Sequence, residues 1–247
     1  SAPSGTGRHP KATVQEISSQ SRERDDLSLA RIAARTVAVG ALAVAVTSFF
    51  YGQAPPAAAL PVTSTHLAEA LLAARPPSLA MWVAGTIGMV GDAVFATGAL
   101  LSMVLVTRRG RGLEALGWAG IALSNVLFVV VDALVGRVLP ATANLSGDGA
   151  VFMASKLLFD ALFVAGTLVF GLAALALLVP TSLRTRGADR VLAVLGAVTG
   201  LVATLAGLAG LVGANAGQVL GYCIAIGAVL FTMLGVRMAG HAQRDMF

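Results

Sequence analysis

Six apolar runs of membrane-spanning length constrain this chain more than any other feature. They cover about Ile32 to Phe50, Met81 to Val106, Leu116 to Val135, Leu157 to Val179, Val191 to Val212 and Val219 to Val236. A helix of roughly 20 apolar residues crosses the hydrocarbon core of a bilayer. Inside that core every backbone N–H and C=O must be paired within the protein, which leaves only helices or a closed barrel. A barrel needs short segments alternating apolar and polar, and none of these runs alternates. They also lack the polar stripe of a helix on the surface of a soluble domain. With 57% hydrophobic and only 12% charged residues, against roughly 25% charged in soluble domains, the expected fold is all-α: a polytopic membrane protein of six transmembrane helices.

The basic residues set an orientation. Arg8, Lys11, Arg22, Arg24, Arg31 and Arg35 precede or open the first run, Arg108, Arg109 and Arg111 join the second to the third, and Arg184, Arg186 and Arg190 join the fourth to the fifth. Arg237 and Arg244 follow the sixth, so alternating spans place fourteen of seventeen Lys and Arg on one side, leaving Arg75, Arg137 and Lys156 opposite. Cytoplasmic loops carry the positive excess, so both termini are expected in the cytoplasm. The net charge of +5 is thereby explained as topology and anionic-lipid contact, and nucleic acid is not implied. Fifteen Arg against two Lys, with abundant Ala and Gly, fit a GC-rich bacterial coding sequence, hence a bacterial inner membrane.

Residues 1–27 are polar and include Arg22-Glu23-Arg24-Asp25-Asp26. They lack the short apolar core of a secretory signal and read as a cytoplasmic tail, disordered alone, before a bundle over 28–240 and a short C-terminus over 241–247. The single cysteine, Cys223, excludes an intramolecular disulfide framework and thiolate metal clusters.

Three carboxylates fall within the runs: Asp92, Asp132 and Asp160. Such a group costs about 2.5 to 3.5 kcal/mol at a span centre on insertion scales, so each is a candidate functional residue. Counted from the Arg clusters at 1.5 Å per residue, Asp132 and Asp160 lie about 25 to 30 Å up and Asp92 about 22 to 24 Å. Asp160 follows Lys156 by four residues, the spacing at which helix side chains meet, and Asp132 precedes Arg137 by five. Those two acids read as interfacial ion pairs with Lys156 and Arg137. Asp92 has no basic neighbour within a turn. Asn125, seven residues before Asp132, shares its helix face and has Ser124 beside it. Either Asp92, Asn125, Asp132 and Asp160 form a proton or cation site open to the outside, or they form an interhelical hydrogen-bond network that fixes packing. The network is the plainer reading.

The second and fourth runs share Asp-Ala-x-Phe-x-x-Gly, at Asp92 to Gly98 and at Asp160 to Gly166. A true repeat would relate two hairpins of the same orientation. Further marks are Arg31-Ile32-Ala33 at the start of the first run, Asp92 in the second, Asn125 in the third, small residues in the fourth and Arg190-Val191-Leu192 opening the fifth. In these the chain, over about residues 29–240, resembles a bacterial family of six-helix integral membrane proteins known as a domain of unknown function. The resemblance implies the fold and brings no activity. Members often carry His in the fourth span, and this chain has none there.

The fifth run carries Gly196, Gly200, Gly207, Gly210 and Gly213, small residues that let membrane helices approach closely. Packing inside the bundle is their expected use, with contact to another membrane subunit the minor one; the N-terminal tail is the other segment able to meet such a partner. Tyr222 and Cys223 fall near the outer end of the sixth run, where Tyr is an ordinary interfacial anchor.

His9, His66 and His241 all lie outside the runs, so no span offers an imidazole to haem. His66 and Glu69 supply two potential metal ligands, fewer than a site needs, and read better as a solvated turn over Leu67, Leu71 and Leu72. Phosphate-loop, nucleophile-elbow, zinc-protease and Cys-x-x-Cys patterns are missing. The expectation is therefore a lipid-embedded scaffold or accessory subunit without catalytic residue, metal or cofactor; the alternative is a small proton- or cation-coupled transporter using Asp92.

Overall fold

The computed structural model describes residues 14–52, 67–75, 79–145 and 149–244. These form α1 (Val14–Tyr51), α2 (Leu67–Ala74), α3 (Leu79–Arg108), α4 (Gly112–Ala133), a π-helical turn over Leu134–Val138, α5 (Leu139–Ala143), α6 (Ala150–Arg184), α7 (Gly187–Leu211) and α8 (Gly217–Arg244). Among the described residues, six helical stretches are long and apolar enough to cross a membrane: α1 from Asp25, α3, α4 through α5, α6, α7 and α8 to His241. Each contains one of the six apolar runs, the fifth but for its last residue, Val212.

The spans form a ring in chain order. α1 packs on α3, α3 on α4, α4 on α6, α6 on α7 and α7 on α8, and α8 closes against α1. The small residues explain how closely neighbours approach. A Cβ added at Gly40 of α1 would lie 2.6 Å from the backbone Cα of Phe95 on α3, and one at Gly98 of α3 would lie 2.6 Å from the backbone nitrogen of Val37 on α1. The glycines of α7 face α6: a Cβ at Gly196 would strike Leu178, and one at Gly200 would meet Ala174 and Gly171. The Gly-rich fifth span therefore spends this face inside the bundle.

Aromatic rings fill the middle of the ring. Phe231 of α8 lies with its centroid 5.5 Å from Phe95, 6.0 Å from Trp118 and 5.9 Å from Phe170, joining α8 to α3, α4 and α6. All four are nearly inaccessible.

At the end that holds the start of α1 and the finish of α8, one device recurs in each hairpin. An acid near the start of the first span pairs with an Arg near the finish of the second: Asp26 with Arg108, Glu114 with Arg184, and Asp189 with Arg237. Glu114 and Asp189 sit in first turns and Arg108 and Arg184 in last turns, where their charges also complement the helix dipoles. The Arg side chains are about half exposed, so solvent screens these pairs and they tie the hairpin ends together more than they stabilise the bundle.

The polar tail and the helix overlap. α1 is helical from Val14, and Asp26 meets Arg108, so half of the segment read as a tail continues the first span. A helix already nucleated by the span extends backwards cheaply, since each added residue gains a hydrogen bond without a new nucleus. Residues 1–13, with His9, lie outside the described residues, as does His66. The segment after it is α2, whose Ala70 is buried in a small cluster with Leu139, Ala143 and Phe152 while Leu67 and Leu71 pack against it.

Candidate functional site

Away from the paired ends, the helices part around a cavity of about 1490 Å³. Phe95 and Phe231 fill the ring beneath it, Phe95 one turn from Asp92 towards the clamped end. The walls are largely apolar, and Asp92, Asp132 and Asp160 all reach them, as does Tyr51.

Asp132 occupies the last turn of α4, just before the π-turn. Pro140 accounts for that turn: it has no N–H to give the carbonyl of Gly136, and the ladder ahead of it slips by one residue, with the N–H of Leu139 donating to Leu134. Such turns occur frequently at functional sites. Here the turn brings Gly136 onto Gly85 of α3, where a Cβ at Gly85 would lie 2.8 Å from the Cα of Gly136. One turn along α3, Gly88 leaves room for the Asp132 carboxylate: a Cβ at Gly88 would stand 2.5 Å from its Cγ. The next turn presents Asp92.

The result is a buried three-residue cluster. Asp92 and Asp132 are 2% and 5% exposed, and their side chains are in hydrogen-bond contact. Tyr51 of α1 donates its Oη–H to Asp132 Oδ1 at 2.8 Å. Oδ1 of Asp92 is buried without a hydrogen-bond partner. Two bare carboxylates repel at such a distance, so the contact is favourable when one proton lies between them. The pair then carries one negative charge and one unused acceptor beside the cavity.

Asp160 occupies another wall and pairs with Lys156, as their four-residue spacing requires. Lys156 is 2% exposed, and its Nζ lies 4.9 Å from the Phe159 ring centroid. Arg137 does not join Asp132. Five residues at 100° each set the two about 140° apart around an α-helix, so Asp132 turns inward while Arg137 is exposed and lies over Trp82, 5.6 Å from the ring centroid. Asn125 also stays away from the acids. It shares their face but lies two turns deeper, about 10 Å along the axis, and donates Nδ2–H to Ile121 O of its own helix. Its neighbour Ser124 bridges to Gly166 O of α6 at 2.9 Å. The expected four-residue cluster thus resolves into an Asp92–Asp132 pair, an Asp160–Lys156 pair elsewhere on the cavity wall and a separate packing contact.

Sequence reasoning missed Tyr51, which follows the first apolar run by one residue, and Gly88. The Gly85-x-x-Gly88-x-x-Gly91 spacing was the available signal for the latter. It also passed over Glu114, two residues ahead of the third run, although that side chain is buried between Arg184 and Arg111. Among the described residues no three His, Cys, Asp or Glu side chains converge as metal ligands.

The fold and its cavity define a multi-pass α-helical membrane protein with an internal carboxyl site. No family model, no curated protein and no solved structure matches the chain.

Proposed function

We propose that this protein is a proton-coupled carrier of a bacterial inner membrane, with Asp92 and Asp132 as its coupling pair and both termini in the cytoplasm. The supporting observation is the contacting carboxyl pair, with one orphan oxygen, on the wall of a 1490 Å³ cavity. A scaffold has no use for it: packing is served better by apolar side chains of the same volume, and void space forfeits contacts. A carrier needs both a chamber and a group that takes up and releases a proton within the membrane. In this orientation the cavity lies in the periplasmic half, while the aromatic cluster and the three ion-pair clamps close the cytoplasmic half. The resemblance to a six-helix bacterial family is compatible with this reading and adds no activity to it.

The purified protein in liposomes with a trapped pH dye tests the proposal. Under an imposed pH gradient, with panels of organic cations, anions and neutral solutes, at least one class should speed collapse of the gradient above protein-free liposomes. Folded protein that accelerates it with none of them would overturn the reading. Orientation is checked separately in a Cys223→Ser background. A cysteine replacing the exposed Leu145 should react with an impermeant maleimide from the periplasm, and one replacing Arg109 should not. The reverse pattern would place the cavity in the cytoplasmic half. The more obvious loop positions, Ser64 and Ser146, lie outside the described residues.

A further inference from the structure

We infer that the cavity takes a monovalent lipophilic organic cation, held against the Asp92–Asp132 pair in exchange for a proton. The inference rests on the carrier reading and names its substrate class.

Charge decides the sign of the ligand. Among the described residues lining the cavity there are three carboxyls, Asp92, Asp132 and Asp160, and no Arg, Lys or His. Lys156, buried in the wall, pairs with Asp160, so among the described residues the charge without a counter-ion at the cavity is the single negative one of the proton-sharing pair. An anion would meet that charge with no cation to receive it. A neutral solute would leave Asp92 Oδ1 in an apolar chamber, where an unmatched charged acceptor is costly.

Wall chemistry and size decide its class. Phe128, Phe159 and Phe163 face the chamber, and aromatic faces attract organic cations, more strongly where water is excluded. The volume exceeds the roughly 300 to 1,000 Å³ of ordinary small-molecule pockets. A bare calcium ion takes six to eight oxygen ligands, many more than one carboxyl pair and a phenol supply. A bulky cation with its charge buried in hydrocarbon matches both the rings and the acid.

Exchange follows from the same count. The pair's one negative charge is neutralised either by a second proton or by one monovalent cation, so the doubly protonated pair gives up its second proton when the cation binds, and lower pH weakens binding. Among the described residues, the titratable and charged groups around the pair are Tyr51 from α1, which meets Asp132, and, elsewhere on the cavity wall, Asp160 of α6 with its partner Lys156 and Tyr222 of α8. Asp160 and Lys156 compensate one another, which leaves the carboxyl pair as the competing proton site.

Tetraphenylphosphonium and tetraphenylborate share size and shape and differ in the sign of their charge. Equilibrium dialysis of the full-length protein in a neutral detergent should show saturable phosphonium binding that weakens as pH falls and resists competition by the borate. Replacing both acids, Asp92→Asn with Asp132→Asn, removes the pair's charge and should weaken it at least tenfold, and Asp92→Leu with Asp132→Asn serves if the first protein misfolds. Glu114→Gln, at the clamped end, should leave it unchanged. Borate binding as tight as phosphonium binding, or phosphonium binding indifferent to both Asp variants, would overturn the inference. The two readings fail separately. Phosphonium binding without any solute-driven proton flux would remove the coupling and keep the substrate class, whereas proton flux driven only by anions or neutral solutes, with no phosphonium bound, would do the opposite.

Discussion

Leucine at Gly40 will prevent the bundle from assembling, and alanine there will lower its stability by about 1 to 3 kcal/mol, the usual range for overpacking a filled interior. The added Cβ would stand 2.6 Å from the backbone Cα of Phe95 and closer still to its nitrogen. Backbone inside a membrane helix cannot swing aside as a side chain tip can, so α1 and α3 must separate. That separation draws Phe95 away from Phe231, loosening the aromatic cluster beneath the cavity. A methyl group added at Gly240, near the end of α8, would meet nothing within 4 Å, and Gly240→Ala should be neutral or slightly stabilising. Unfolding in mixed detergent micelles, followed by circular dichroism, measures all three. A Gly40→Leu protein that unfolds like the parent would show that the α1–α3 contact is not what holds the ring closed.

Asp92→Asn will leave the protein folded and reduce solute-driven proton flux to the level of protein-free liposomes. The amide has the size of the carboxyl group and can donate an N–H to Asp132, so the contact survives, but Asp132, its charge held by that N–H and the Tyr51 hydroxyl, no longer takes up the second proton. Asp92→Leu removes the contact itself and leaves Asp132 with the Tyr51 hydroxyl; it should lose flux and some stability together. Flux at the parental rate in folded Asp92→Asn protein would eliminate the carboxyl-coupled mechanism, and a stability loss as large as that of the Leu variant would make the pair a packing device.

Much of the architecture is legible in the sequence, because a bilayer imposes a one-dimensional rule. Each crossing needs a long apolar helix, and the six runs contain enough residues to be recognised without knowledge of their neighbours. The Lys156–Asp160 pair is legible for a similar reason: residues four apart meet on any α-helix. The ends are less so. Tyr51 falls just beyond an apolar run and contributes a hydroxyl to a buried acid on another helix, and Glu114 lies ahead of its run yet is buried by Arg side chains. Neither burial is a property of local sequence.

The candidate site shows the same division more sharply. Helix periodicity puts Asn125 and Asp132 on one face, correctly, but a shared face says nothing about depth relative to a neighbouring helix. Asp92 stands out in the sequence as lacking a local partner. Its contact with Asp132 depends on how α3 and α4 are rotated and slid against each other, and the Gly85–Gly136 approach and the space above Gly88 set that register.

What the chain determined by itself, then, was six membrane-length helices, the side on which their basic residues gather, the local Lys156–Asp160 pair and the anomaly of Asp92. Local backbone pairing and helical period are enough to produce each of these. The tertiary structure alone decided that Tyr51, Asp92 and Asp132 converge, that Asn125 and Arg137 do not, and that the ring opens into a cavity beside the convergent acids. Those outcomes depend on side-chain-free contacts between residues far apart in the chain, where the removal of a single methyl group lets two backbones touch and fixes the rotation of both helices.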